Sequence, residues 1–357
     1  MKGEQLLHRG RVVPQRLRED PRRTLELIGL AATAVLALVM SVFILLYWLR
    51  EYPYASPAYE QFRVAGLWLD YLLGTNVFQH PFMWQSMATG VFIGIVAPLV
   101  GTFLVHREMA LIGETLAHTA FAGVAIGLLV IAFTNWGGSI LLVALVVGVI
   151  GALGVQWLAE RTNAYGDVPI AIMLSGSFAV GTLLISWGRE FMAVAVDIEG
   201  FLFGSIAVVT VEGARMMAVL SIAVVATVAL TYKQLLFITF DEQAARVAQL
   251  NVGWYNTLLV VMTAVVVVGA MQVLGVILVA AMLVIPVATA SQVARSFRET
   301  LSLSILFGQA SIVGGFAFSI HQGLPTGGSI VVVSITMYLL TIVLSNRSVT
   351  ALSTHGR

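Results

Sequence analysis

Residues 84–133 read WQSMATGVFIGIVAPLVGTFLVHREMALIGETLAHTAFAGVAIGLLVIAF. Two apolar runs, 84–105 and 110–133, flank a short polar turn at His106, Arg107 and Glu108. Each run reaches the roughly 20 residues that carry a helix through the hydrocarbon of a bilayer. No water reaches that layer, so each segment must satisfy its own backbone hydrogen bonds, which a helix does. The same reading picks out 26–49, 138–159, 168–187, 213–232, 255–272, 273–292, 301–320 and 328–344. The division near 273 rests on Gln272 and Gly275 within an almost continuous apolar stretch. The expected fold class is therefore all-α, a polytopic transmembrane helical bundle of about ten spans.

Composition agrees. Of the 357 residues, 59% are hydrophobic and 10% charged, against about 25% charged in an ordinary soluble domain. Mean hydropathy is +0.94. The net charge of +1 gives no ground for a nucleic-acid partner. The absence of cysteine excludes disulfides, thiolate metal sites and cysteine nucleophiles. The 33 glycines suit close helix packing in lipid.

Basic residues orient the bundle. With the N-terminus inside, all of the 19 Lys and Arg residues fall inside except Arg50, Arg63, Arg189 and Arg215. Both termini are then cytoplasmic. The polar, Arg-rich residues 1–24 followed by a full-length apolar run read as a cytoplasmic tail and a first span, not as a cleaved signal peptide. Three stretches do not span. Residues 51–83 form an outside loop in which Phe62, Gly66, Leu67 and Leu69 outline an amphipathic surface helix. Trp68, Tyr71, Phe78 and Trp84 read as interface anchors there. Residues 188–212 hold Asp197, Glu199 and a short apolar piece from Phe201 to Val209, the length of a half-helix or re-entrant segment. Residues 233–254 form the longest internal cytoplasmic loop.

The third span carries the sharpest chemical signal. Glu114 and His118 lie four residues apart, on one helix face. A carboxylate and an imidazole so placed can share a divalent cation, and they can equally be a satisfied pair that joins helices. Ionisable groups inside a span face a protein interior or a water-filled path. His321 ends the ninth span on the outside, as a metal contact or a turn histidine. Asp197 sits at the outer mouth, where acidic groups concentrate cations, or in an ordinary solvated loop. Gly90/Gly94 and Gly123/Gly127 form GxxxG spacings, read first as helix packing. In the cytoplasmic loop Asp241 is placed to cap a short helix. Ala244, Val247, Ala248 and Val252 mark its apolar face, which needs a membrane or a partner groove. There is no HExxH, no GxSxG and no phosphate-binding GxxxxGK[ST] loop.

Four stretches resemble the permease subunits of ABC-type zinc, manganese and iron uptake systems. They are residues 104–118 (LVHREMALIGETLAH), 201–206 (FLFGSI), the Phe240-Asp241 loop, and 275–290 (GVILVAAMLVIPVATA), in family order. The resemblance runs from about Pro81 to Leu344. This chain departs from it in having Glu114 where Asp is common and Ala117 where Ser is common. It implies residues 1–80 as an N-terminal extension, 81–346 as the permease domain and 347–357 as a cytoplasmic tail. It further implies a homodimer in a prokaryotic cytoplasmic membrane, cytoplasmic ATPase subunits that bind the ATP, and an extracytoplasmic metal-binding protein. Phe240, Asp241, Ala244, Ala245, Arg246, Val247 and Ala248 then form the helix that docks on the ATPase. Glu114, His118, Asp197 and His321 become the candidate metal contacts. The metal is cargo, with no permanent cofactor and no catalysis by this chain. A proton-coupled secondary transporter using Glu114, and an intramembrane metalloenzyme, are the alternatives.

Overall fold

The structure, a computed structural model, describes residues 21–134, 136–161, 168–188, 198–205 and 209–344. Among these residues it is all-helical. The elements in chain order are α1 (Pro21–Trp48), α2 (Ser56–Leu73), α3 (Pro81–His106), α4 (Leu111–Thr134), α5 (Ile140–Arg161), α6 (Val168–Gly188) and α7 (Ile198–Phe203). They continue with α8 (Val211–Phe240), α9 (Glu242–Val247), α10 (Val252–Leu274), α11 (Val279–Val293), α12 (Phe297–Gln322) and α13 (Thr326–Leu344). Nine of the described helices are long and apolar enough to cross a membrane, and α11 is a shorter apolar helix.

The most buried span, α3, is surrounded by α1, α8, α10, α11 and α12. On one flank α4, α5 and α6 pack together, with α10 joining them to the centre; on the other, α11, α12 and α13 form a second group. The GxxxG pairs serve contacts within the chain. Gly90 and Gly94 face Phe316, Ile312 and Gln309 of α12, while Gly123 and Gly127 face Ala144, Val147, Ile140 and Val143 of α5. Close backbone approach of this kind replaces the hydrophobic drive that lipid cannot supply.

The two ends of the bundle differ in charge. The ends of α3 and α8 and the start of α12 meet where the His106 ring lies 5.0 Å from Phe297 and 6.5 Å from Phe240. This end carries Arg22, Arg23, Arg107, Arg161, Arg246, Arg295 and Arg298. Arg50, Arg63 and Arg215 lie toward the opposite end, where the Arg215 guanidinium sits 5.6 Å from the Trp48 ring.

The span expected at 273–292 is different in kind. Gly275 ends α10 with φ 79° and ψ 155°, a conformation effectively reserved for glycine. The 15 residues of α11 rise only about 22 Å, short of the roughly 30 Å hydrocarbon layer. The irregular lead into α11 is buried by other elements. Ile277 N–H donates to the Leu202 carbonyl at the end of α7 (3.3 Å), and Ser205 N–H donates to the Gln272 carbonyl (3.4 Å). A Cβ at Gly275 would collide with the Leu202 carbonyl, one at Gly204 with the Val273 carbonyl, and one at Gly327 with the Leu274 carbonyl. Three backbones thus meet at a joint with no room for a side chain.

The outside loop contains the expected helix as α2, with Gly66 turned inward and Phe62 and Leu69 packed on the core, but corrects the expected place of Leu67 and of two aromatics. In α2, Gly66 and Asp70 are buried while Leu67 is exposed. Phe78 and Trp84 are buried rather than interface anchors: the Trp84 ring packs on Phe43, Phe62 and Phe78, and its Nε1–H donates to the Phe78 carbonyl (2.6 Å). Asp70 ties this region together. Its Oδ1 accepts from Thr75 Oγ1 (2.7 Å) and from the N–H groups of Val77 and Phe78 (both 2.9 Å), and its Oδ2 accepts from Gln79 N–H (2.8 Å). Burial alone would push this carboxyl up, but the four donors together outweigh it and hold it below the ordinary carboxylate value.

Gly275→Ala is expected to destabilise the protein by more than about 2 kcal/mol, since the new methyl meets backbone and the φ is unfavourable. Gly176→Ala, in open space on α6, serves as the neutral control in the same detergent melting assay. Because the folded pKa of Asp70 is depressed, its stabilisation is complete above the unfolded value of about 3.9 and is lost as pH falls through the folded value. Asp70→Ala should therefore lower the melting temperature at neutral pH, and the gap to wild type should close in acid.

Candidate functional site

The turn between α3 and α4 sets the position of the site. Arg107 follows the last residue of α3, and Glu108 adopts a left-handed φ of 59°. Met109 N–H then returns to the Leu104 carbonyl (2.9 Å), and Ile112 N–H bonds the Met109 carbonyl (3.1 Å), starting α4. The Arg107 guanidinium donates through Nη2 to Asn256 Oδ1 on α10, and its buried Nη1 has no protein partner. Burial pushes the Arg107 pKa down, and the carboxylate of Glu242 on α9 opposes that shift. This turn therefore ties the start of α4 to α10, on which α9 packs through Ala245 and Val252.

Four residues into α4 stands Glu114, exposed. One turn on, the half-buried His118 ring lies 5.0 Å from the Phe178 ring of α6 at 76°. Its Nδ1 is buried and has no hydrogen-bond partner in the protein. Such nitrogens are uncommon and call for a specific partner such as water or an ion. Around it α4 and α6 are joined by polar contacts: Thr119 Oγ1 and Ser177 Oγ lie 3.0 Å apart, and Thr115 Oγ1 donates to the Ile170 carbonyl (3.3 Å). On another face of α4, Gly113 packs against Leu283 and Ala280 of α11, and Gly123 and Gly127 against α5. The glycines bury those faces and leave the Glu114–His118 face the least covered.

The expected metal contacts do not converge. His321 is exposed in the last turn of α12, at the end opposite the start of α4. Counting rise along the helices puts it roughly 30 Å from Glu114. Asp197 lies outside the described residues. Among the described residues no three His, Asp or Glu side chains form a metal-binding group. Two polar neighbours of the site escaped the sequence reading: Ser177, which meets Thr119, and Asn256, which holds Arg107. The one signal for Ser177 was the run Ser175-Gly176-Ser177 inside an otherwise apolar span.

At the basic end, Asp241 Oδ1 accepts from Ala244 N–H (2.8 Å) and starts α9 as expected. The helix is only six residues long. Its buried contact is made by Ala245, with Ile238 of α8 and Val252 of α10. Of the expected apolar face, Val252 is buried against the bundle while Val247 is 85% exposed, and Phe240, the last residue of α8, is 65% exposed. Glu242 and Arg246 form an exposed i,i+4 ion pair. Val247 stands clear of the bundle, and Phe240, though largely exposed, has one side of its ring against Phe297 (5.6 Å).

Nine membrane-length helices among the described residues, an irregular buried joint and a polar pair on one span define a polytopic membrane protein. Residues 79–345 match the ABC 3 transport family, and the chain belongs to that family. It is 30% identical over 265 residues to the manganese transport system membrane protein MntC of Listeria monocytogenes, covering 74% of this chain and 91% of the relative. It is 26% identical over 260 residues to the high-affinity zinc uptake system membrane protein ZnuB of Haemophilus influenzae, covering 73% and 96%. Among solved structures it resembles PsaBC from Streptococcus pneumoniae in complex with Fab. The TM-score there is 0.65 and the identity 29%, over 77% of this chain and 94% of the other. The chain is thus a multi-pass ABC transporter permease of a prokaryotic membrane.

Glu242→Ala and Arg246→Ala, made singly, should each change stability by less than about 0.5 kcal/mol, as exposed helical ion pairs do. Asp241→Ala should cost about 1 kcal/mol through loss of the cap. Urea titration in detergent distinguishes the two classes.

Proposed function

We propose that this chain forms the membrane path of an ATP-driven importer for a divalent metal ion, manganese or zinc. The observation that carries the reading is the buried, unpartnered Nδ1 of His118 one turn from Glu114, in a family whose relatives are named for manganese and zinc transport. Imidazole nitrogen and carboxylate oxygen suit both ions, and a site without thiolate does not trap a soft one. The incomplete ligand set among the described residues supports a homodimer in which a second copy covers the α4–α6 face. In this reading Glu114 and His118 contact the ion in transit, while Asp197 and His321 belong to the outer approach from the extracytoplasmic binding protein.

The basic end faces the cytoplasm by the positive-inside rule. There the exposed Phe240 and Val247 offer the surface for a separate ATPase subunit. The Arg107 turn gives a short mechanical route from that surface to α4. ATP-driven approach of the two ATPases would displace α9 and, through Arg107, tilt the start of α4. A stand-alone proton-coupled transporter has no use for an exposed valine on a six-residue helix beside the exposed Phe240 at the end of α8.

Wild-type complex, assembled with the ATPase and binding protein encoded beside it, should take up manganese or zinc into vesicles only with ATP. Glu114→Ala combined with His118→Ala should lower uptake at least about tenfold, the scale of losing an oriented ligand, with assembly intact. Normal uptake in that variant would move the path elsewhere, and no ATP-dependent uptake by assembled wild type would end the metal-import reading. Val247→Asp should abolish co-purification of the ATPase and, with it, uptake, while leaving the melting temperature of the permease unchanged.

A further inference from the structure

At the basic end of the bundle a pocket of about 310 Å³ opens between the first turns of α1 and α12. It lies outside the path described above, and α1 precedes the residues that match the family. Four arginines line it: Arg22 and Arg23 from α1, and Arg295 and Arg298 from the start of α12. All four are exposed. Among the described residues none of them pairs with a carboxylate; the ion pairs found there are Arg63–Glu60 and Arg246–Glu242.

The pocket also holds two carboxylates, Glu26 and Glu299. Glu299 is already engaged. Its Oε2 accepts from Arg295 N–H (2.7 Å), and its own N–H donates to the N-cap Ser296 Oγ (3.3 Å), so that it closes the start of α12. Its charge is thus directed at the helix start, and the pocket retains an excess of positive charge. Natural surfaces seldom gather four unpaired guanidinium groups around one cavity unless an anion is to fill it, and the planar fork of arginine suits phosphate oxygens.

The position selects the kind of phosphate. The 28 residues of α1 and 26 of α12 rise about 42 and 39 Å, some 10 Å beyond the hydrocarbon layer. Their first turns therefore lie at headgroup depth. Below the arginines the lining becomes apolar at Leu27 and Leu30. Leu27 is 59% exposed, and one turn further the two helices close on each other, where a Cβ at Gly29 would press on Leu306. A headgroup in the pocket would leave its acyl chains over this apolar surface, continuous with the exposed Leu38, Val42 and Leu45 of α1. A soluble phosphate would use the arginines and leave the apolar wall bare.

We infer that the pocket between α1 and α12 is a binding site for the phosphate headgroup of an anionic phospholipid, held by Arg22, Arg23, Arg295 and Arg298. In the cell the lipid comes from the inner leaflet, which rests on the proposed orientation. The site fastens the basic end of α1, whose other end is held by the aromatic cluster of Phe43 and Trp84, to the start of α12.

The full chain in nanodiscs, where both leaflets have one composition, tests the site independently of orientation and of metal transport. Wild-type protein purified from a mixture of phosphatidylglycerol and phosphatidylcholine should retain phosphatidylglycerol by mass spectrometry at least about tenfold over its share in the mixture. That preference should fall as salt is raised. The fourfold variant Arg22→Gln, Arg23→Gln, Arg295→Gln, Arg298→Gln should lose the preference, and each double variant on one helix should lose part of it. Short-chain phosphatidylglycerol should raise the wild-type melting temperature, and inorganic phosphate at the same concentration should not. Equal retention of the two lipids by wild type, or an unchanged preference in the folded variants, would overturn the site. An equal shift from inorganic phosphate would replace the lipid with a soluble anion. Should the fourfold variant not fold, the salt dependence of wild type and the two double variants decide the matter.

Discussion

Hydrocarbon offers no hydrogen-bond partner, so every interruption of a helix inside the membrane must be answered by another part of the chain. The joint of Gly204, Gly275 and Gly327 is where this constraint bears hardest. α10 must stop, turn and reappear as the short α11 without leaving bare N–H groups in lipid. It does so by pressing against the end of α7, whose Leu202 carbonyl accepts from Ile277, while Ser205 returns a bond to Gln272. A side chain at any of the three glycines would separate these backbones. The place of α11 against α3, α12 and α13 follows from that contact, as does the return of the chain to the basic end where α12 begins.

The same economy of space shapes α4. Its glycines face α5 and α11, Phe121 and Ala122 meet Gly181 of α6, and the face carrying Glu114 and His118 is the one left least covered. α6 covers part of it, through Phe178, Ser177 and Ile170, yet it leaves Glu114 exposed and His118 Nδ1 unanswered. A charged group on the outside of a membrane bundle is costly unless water or a protein partner meets it. This geometry is half of a site more than a finished one, which is why a second copy is part of the proposed path.

The first two helices add a different kind of dependence. Asp70 locks the turn that leads into α3, and an aromatic cluster around Phe43 and Trp84 joins α1, α2 and the start of α3 at one end. At the other end no comparable cluster holds α1; it meets α12 across an arginine-lined pocket. The extension is thus pinned by packing on one side of the membrane and, in the inference above, by charge and lipid on the other.

Long apolar runs determined the all-helical class and the position of nine spans, because chain length against bilayer thickness is a property readable from sequence. The charge of each end and the cap at Asp241 were legible for the same reason: they depend on residue type and local spacing. What failed were statements about facing. Phe78 and Trp84 looked like interface anchors, since aromatic identity says nothing about which neighbour arrives first. The 273–292 run looked like a full span because hydropathy cannot register a single positive φ. His321 and Glu114 were both candidate metal contacts in the sequence, and only the bundle shows that they lie at opposite ends. Sequence alone determined which segments enter the membrane, through hydrophobic length; only the tertiary structure decided which side chains meet within it, because that depends on backbones brought together by residues far apart in the chain.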